Sequence, residues 1–222
     1  MRSITVNINP NLYGKDPSGS ELGLKILKEG LRLMDEIGFE AFTFKKLAYD
    51  IDSTEATLYR YFDNKHVFLL YLINWYWGII DYRLKIATAN IVNPSEKLKR
   101  ALHVLTGLPD PTDEGSFPEE ATLKRLLINE SSKAYHTKMV DYENQMGVYV
   151  VYKSIVARLA KWVLEVNPSF PYPEMLISTL IENANQQRFF LQHLPRLTND
   201  NPELDTVEAF SLLVLNKTIQ MS

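Results

Sequence analysis

The sequence predicts an all-α protein. Apolar residues recur at three- and four-residue spacing almost throughout, glycine and proline fall at the joints between those stretches, and side chains suited to helix capping open them. Ser18 to Glu21 has the S-x-x-E form of a capping box, and behind it Leu24, Leu27, Leu31 and Met34 share one face until Gly38, which predicts a first helix over 20–37. Thr43 can cap a second helix with Phe44, Leu47, Ala48 and Ile51 inward, and Thr54 a third with Leu58 and Phe62 inward. Asp63 can cap a long helix over 64–89, and Asn93-Pro94 with Glu96 opens another over 94–106. The segment GLPDPTDEGSFP, 107–118, holds three prolines and three acids and predicts a surface loop. Further helices are expected over 119–137, 139–166, 173–193 and 202–219, the last two opened by Pro173 and by Asn201-Pro202. Only SITVNINP departs, because Ile4, Val6 and Ile8 alternate with polar residues as in a strand. That segment is either a loose leader or an arm docked on the body or on a second subunit.

Composition narrows the function. The 222 residues, 45% of them hydrophobic, can fill a real core. The absence of cysteine excludes disulfides and thiolate metal sites and suits a cytoplasmic protein. The opening MRSITVNINP is no signal peptide, and the longest greasy stretch, FLLYLINWYWGII, falls short of the roughly 18 residues that a membrane span needs, so no membrane partner is expected. A net charge of −3 and a pI near 5.9 argue against indiscriminate nucleic-acid binding and leave room for a compact local site.

Such a site is suggested by TFKKLAYDIDSTEATLYRYFDNKHVF, 43–68. Two short helices joined by little more than Asp52-Ser53, leaning on a longer first helix, make a helix-turn-helix whose second helix enters the major groove. With Leu58 and Phe62 inward, Ala56 and Arg60 point away from the core, flanked by Thr57 and Tyr59. Arginine suits a bidentate bond to guanine, and Ala56 or the methyl of Thr57 suits a thymine methyl. Tyr59, Tyr61 and Lys65 have a hydroxyl or ammonium to offer phosphates. Residues 40–66 hold Lys45, Lys46, Arg60 and Lys65 against Glu40, Asp50, Asp52, Glu55 and Asp63, so the general electrostatic attraction to DNA should be small.

GFEAFTFKKLAYDIDSTEATLYRYFDNKHVFLLYLI also resembles the N-terminal domain of the TetR family of transcriptional repressors, with its L-Y-x-x-F recognition helix and following lysine, over about residues 20–72. The resemblance implies an all-helical homodimer with a three-helix helix-turn-helix domain and a helical-bundle domain for ligand binding and dimerisation, whose last two helices pair across a four-helix bundle. Carried over by position, it implies base contacts from Glu55, Ala56, Thr57 and Arg60, and phosphate contacts from Thr43, Tyr59, Tyr61 and Lys65. The domains would be an arm over 1–17, the DNA-binding domain over 18–66 and the ligand-binding and dimerisation domain over 67–222. The chain departs from the family at the turn, where Asp52 stands for the usual glycine and Ser53 for a hydrophobic residue, and at Glu55, where lysine is frequent.

Nothing in the sequence carries enzyme chemistry. His66, His103, His136 and His193 have no second histidine at i+4, and no phosphate loop or nucleophile motif is present, so neither metal nor cofactor is expected. A ligand pocket is suggested by Trp75, Trp77, Tyr82, Tyr135, Tyr149 and Tyr152, with His103 and Asn129 as its polar groups, which as a set fit a small, largely hydrophobic or aromatic effector. AFSLLVL, 209–215, is apolar on nearly all sides, which assigns Phe210, Leu212 and Leu215 to a dimer interface. The helix over 64–89 is expected to be the only element touching both DNA-binding and ligand sites. Taken together, these readings predict a ligand-responsive repressor on a short palindromic operator. The alternatives are a helical-bundle interaction protein that has lost DNA binding, and a helical carboxylate-metal enzyme.

Overall fold

Caps and glycines decide where the helices begin and end. In the computed structural model, which describes residues 6–109 and 117–219, every regular element is helical and no strand occurs among the described residues. The first helix, α1 (Glu21–Ala41), is capped by Ser20, whose hydroxyl accepts from Gly23 N–H, and not by Ser18, which lies in a 3-10 turn capped by Asp16. Gly38, at φ +76, breaks α1 before its end, as the sequence indicates. Thr43 and Thr54 cap α2 (Phe44–Asp50) and α3 (Glu55–Tyr59), each accepting from the N–H three residues on. Asp52 between them adopts the left-handed conformation, at φ 54.

The long helix α4 (Lys65–Ala87) is capped by Asn64 instead of Asp63, since Asn64 accepts from His66 and Val67 N–H. Asn93 caps α5 (Pro94–Thr106) as expected. After α6 (Glu120–Tyr135), the single helix expected over 139–166 is two, α7 (Val140–Gln145) and α8 (Val150–Val166), because Gly147 at φ +79 turns the chain between them. Helix α9 (Pro173–His193) follows the expected bounds, whereas α10 (Thr206–Ile219) starts four residues late, after Asp205, whose carboxylate accepts from Glu208 N–H. The strand expected of SITVNINP does not form over Val6–Asn9, and Ile4 lies outside the described residues.

The chain divides into two compact units, 1–79 with 111–151, and 80–110 with 152–222. In the first, Ile26, Met34, Phe42, Leu47, Leu58, Phe62 and Phe68 are fully buried. Phe42 stacks on Phe68 at 5.6 Å, and Phe62 meets Phe68 edge-on at 4.9 Å. Gly30 makes room for this cluster: a β-carbon there would lie 2.5 Å from Cζ of Phe68. Truncating Phe68 would cost about 3–5 kcal/mol. In the second unit, Leu84, Leu98, Leu102, Leu159, Val163 and Ile177 form the core, and buried Arg188 donates to the Thr106 carbonyl and pairs with Asp205. No helix among the described residues is long and apolar enough to cross a membrane.

Candidate nucleic-acid interface

All the inward residues of the two short helices are buried: Phe44, Leu47 and Ala48 on α2 with Ile51 at its C-cap, and Leu58 on α3 with Phe62 just after it. That burial fixes what faces outward. Glu55, Ala56 and Arg60 are exposed, Thr57 is half-buried, and Tyr59 is 51% exposed with its ring edge-on to Phe44 at 5.1 Å. Thr57 is tied to Thr54 through their hydroxyls at 3.0 Å. Helix α3 is thus a short rigid platform with Ala56, Tyr59 and Arg60 on its outer side.

The side chains expected on phosphates divide. Tyr59 is available at the surface, and Thr43 is exposed although its hydroxyl accepts from Lys46 N–H. Tyr61 is 2% exposed, and its hydroxyl bonds to Ser20 Oγ at 3.0 Å, so it holds the domain together instead of facing outward. Hydrogen bonds from Ser20 and then Lys15 keep its phenol below its ordinary pKa. Lys65 donates to the carbonyl oxygens of Phe39, Glu40 and Phe42 at 2.9, 3.1 and 3.4 Å, and its ammonium lies over the Phe39 ring. It satisfies the orphan carbonyls at the end of α1.

Other cations are used the same way. Lys46 donates to the Ala41 carbonyl and Lys25 to that of Ile51. Among the described residues, the side chains of Lys45 and Arg60 make no hydrogen bond or ion pair, which leaves them as the cations available on this face. On the acidic side, Asp50 pairs with Arg32 and Glu40 with Lys133, while Asp52, Glu55 and Asp63 are exposed. Tyr49, 87% exposed, was not singled out from the sequence. The signal was there: Lys45 and Tyr49 stand at i and i+4 on the face of α2 opposite Leu47 and Ala48.

Within the same unit, α6 docks on the end of α1. Because Gly38 leaves the helical conformation, Phe39 N–H loses its partner in the helix, and the buried Glu130 carboxylate accepts it at 2.9 Å. Arg125 pairs with Asp35 at 2.7 Å, and Lys133 bridges Glu130 and Glu40. The bond to Glu130 raises the pKa of Lys133. A second polar chain joins α7 to α4: Glu143 accepts from Tyr149 and bonds to His66 Nε2, both at 2.6 Å. Burial first and then Glu143 push the Tyr149 phenol above its ordinary range, so it stays a donor. Trp77 Nε1 donates to the Tyr135 hydroxyl at 2.9 Å. Helix α4 is therefore not the only helix that reaches the DNA-binding helices.

The residues expected to form a ligand pocket fall in both units. Trp75, Tyr135 and Tyr149 are half-buried in the first unit; Tyr82 and Tyr152 are half-buried in the second, where the Tyr152 hydroxyl donates to Glu182. Asn129 and His103 are corrections. Asn129 is exposed on α6, and His103 is exposed on α5, paired with Glu208. Neither belongs to the apolar side of its helix, which apolar composition alone does not reveal. On α10, Phe210 is 50% exposed and Leu212 is half-buried, but Leu215 is 1% exposed and belongs to its own unit's core. The exposed neighbour of Phe210 on that helix is Leu213, at 55%.

Residues 26–72 match the family model described as bacterial regulatory proteins, tetR family. No curated protein sequence matches the chain. Among solved structures, AibR in complex with isovaleryl coenzyme A and operator DNA is similar with a TM-score of 0.57 at 14% identity, over 87% of this chain and 96% of that one. The TetR family transcriptional regulator PfmR from Thermus thermophilus is similar with a TM-score of 0.57 at 14% identity, over 88% and 97%. The ketosteroid transcriptional regulator KstR2 of Mycobacterium tuberculosis gives 0.55 at 11% identity, over 94% and 96%. At such identities the likeness is one of fold.

Proposed function

We propose, from the premise that residues 26–72 are a tetR-family N-terminal domain, that the protein is a ligand-responsive transcriptional regulator, a repressor that binds a short palindromic operator as a homodimer and is released by a small, largely hydrophobic effector. The observation that carries the reading is the helix-turn-helix geometry: Leu58 and Phe62 have no exposure, so Ala56, Tyr59 and Arg60 face outward together. In this reading Arg60 reads a guanine, Ala56 and Thr57 meet a thymine methyl, Glu55 lies at a base edge, and Lys45, Tyr49, Tyr59 and Thr43 fix the helix on phosphates. Tyr61 and Lys65 support the domain from within.

The fold of AibR accommodates both a coenzyme A thioester and operator DNA, which supports an effector for this chain as well. The half-buried aromatics Trp75, Tyr135 and Tyr149 suit an apolar molecule in the first unit. An effector seated against Tyr135 would displace α6, and through Glu130 and Arg125 the end of α1. Phe210 and Leu213 would meet a second copy and set two recognition helices about 34 Å apart, one turn of DNA.

The test is selection of binding fragments from a genomic library by the full chain, followed by footprinting. A two-fold-symmetric site that competes better than random DNA at moderate salt is expected. If no fragment outcompetes random DNA, the second reading takes over, an interaction protein that has lost DNA binding, which the acidic Asp52, Glu55 and Asp63 and the internal use of Lys46 and Lys65 favour.

A further inference from the structure

Residues 6–20 contain no α-helix, only the 3-10 turns Pro10–Leu12 and Pro17–Gly19, yet they are held at both ends. At one end the side-chain amides of Asn9 and Asn11 both donate to a single acceptor, the Met146 carbonyl, at 2.9 and 3.2 Å. That carbonyl borders Gly147, whose φ of +79 makes the turn between α7 and α8, and Asn9 accepts from Asn11 N–H to hold the two amides together. At the other end Gly14 N–H donates to the Tyr61 carbonyl at 2.9 Å, and a β-carbon on Gly14 would lie 3.0 Å from the Arg60 carbonyl oxygen. Lys15 stands over the Tyr61 ring at 5.0 Å, and Ser20 holds its hydroxyl.

The segment also lies along α4. Tyr13 meets Tyr71 edge-on at 6.1 Å, Ile8 and Leu12 are buried, and Val6 fills the space at Gly78, where a β-carbon would fall 2.0 Å from its Cγ1. A leader that merely covered apolar surface would need the apolar contacts alone. Here directional hydrogen bonds at each end join a turn of the body to the two residues that leave the recognition helix.

We propose that residues 6–20 are a strap that couples the turn at Met146–Gly147 to the exit of the recognition helix at Arg60–Tyr61, so that the position of the turn regulates how Arg60 is presented. This rests on reading α3 as the recognition helix. The rival route between the same regions is the Glu143–His66 bond, which bypasses the strap.

Backbone amide exchange of the full chain, read by mass spectrometry, separates the routes in a mutant cycle. Gly147→Ala strains the turn; it should speed exchange over 58–62 about tenfold, and by less than about twofold further once Asn9→Ala and Asn11→Ala have unhooked the strap. Should Gly147→Ala lose its cooperative melt, Gly14→Ala replaces it from the opposite end, with faster exchange over 144–150 expected and the same loss of effect in the unhooked background. The strap is refuted if either perturbation reaches the far end equally with and without Asn9 and Asn11, or does not reach it at all. Because exchange needs no DNA, a cycle that holds while selection returns no operator would leave the strap standing and remove the DNA-binding reading; an operator found beside a failed cycle would do the reverse.

Discussion

The ammonium of Lys65 lies 2.9 Å from the carbonyl oxygen of Phe39 and 4.6 Å from the centre of its ring. A cation expected on DNA is thereby part of the domain's interior, closing the end of α1 against the start of α4. Lys65→Ala should lower the unfolding free energy by about 1–3 kcal/mol, because carbonyls near the α1 terminus lose a charged donor. It should change the salt dependence of DNA binding by much less than the unit expected of a lost phosphate contact. Urea denaturation beside binding titrations at several salt concentrations checks both.

Arg60 is the complementary case, exposed and with a guanidinium that makes no hydrogen bond or ion pair among the described residues. Arg60→Ala should leave the melting temperature unchanged, weaken the selected operator by about 1–3 kcal/mol and relax preference at one base position. Repeating the selection with the variant shows whether a position loses its preference. Equal loss at every position would make Arg60 a phosphate contact.

The helix-turn-helix was legible because its determinants are local. Thr43 and Thr54 cap the helices they precede, Leu58 and Phe62 lie one turn apart, and Asp52 sits where the chain needs a left-handed residue. What the sequence could not give are choices made by distant partners. Asp63 and Asn64 are both able caps, and tertiary geometry selects Asn64. His103 meets Glu208 from a helix 105 residues away, and Lys65 meets a helix end 26 residues upstream. Gly147 was visible in the sequence, but a single glycine inside an apolar pattern does not announce a left-handed turn until its φ is seen.

Asp52 carries a cost that its position makes measurable. At φ 54 its β-carbon crowds the backbone, and Asp52→Gly removes that strain at the expense of a freer unfolded chain. The balance should leave the fold intact and stabilise it by no more than about 1 kcal/mol. A thermal melt that falls by several degrees would mean that the Asp52 carboxylate holds the turn by a bond of its own.

On α10 the exposed and buried leucines make opposite predictions. Phe210→Glu with Leu213→Glu, both on the surface, should give folded monomers that lose operator binding, whereas Leu215→Glu, at 1% exposure, should unfold its unit by burying a charge. Sedimentation velocity and circular dichroism distinguish the outcomes. Folded dimers of the Phe210/Leu213 variant would place the interface elsewhere.

Glu130 tests how the body holds the DNA-binding helices. Its carboxylate does two separable things, accepting Phe39 N–H with one oxygen and pairing with Lys133 through the other. Glu130→Gln keeps an oxygen for the amide and loses the charge, and Glu130→Ala loses both. If the buried amide bond is what matters, alanine should destabilise by about 1–3 kcal/mol and glutamine by under about 1, since Lys133 is accessible enough for water to replace its partner. Gly38 at φ +76 cannot supply a substitute, because with the helix broken there Phe39 N–H has no partner one turn back. The same comparison bears on regulation: an α6 anchored by that bond should move the end of α1 when α6 moves. The alanine variant should therefore show faster amide exchange over 36–44 while the rest of the first unit stays protected. Equal destabilisation by glutamine and alanine would instead assign the anchoring to the Lys133 ion pair, and α6 would act on α1 through surface charges that salt can screen.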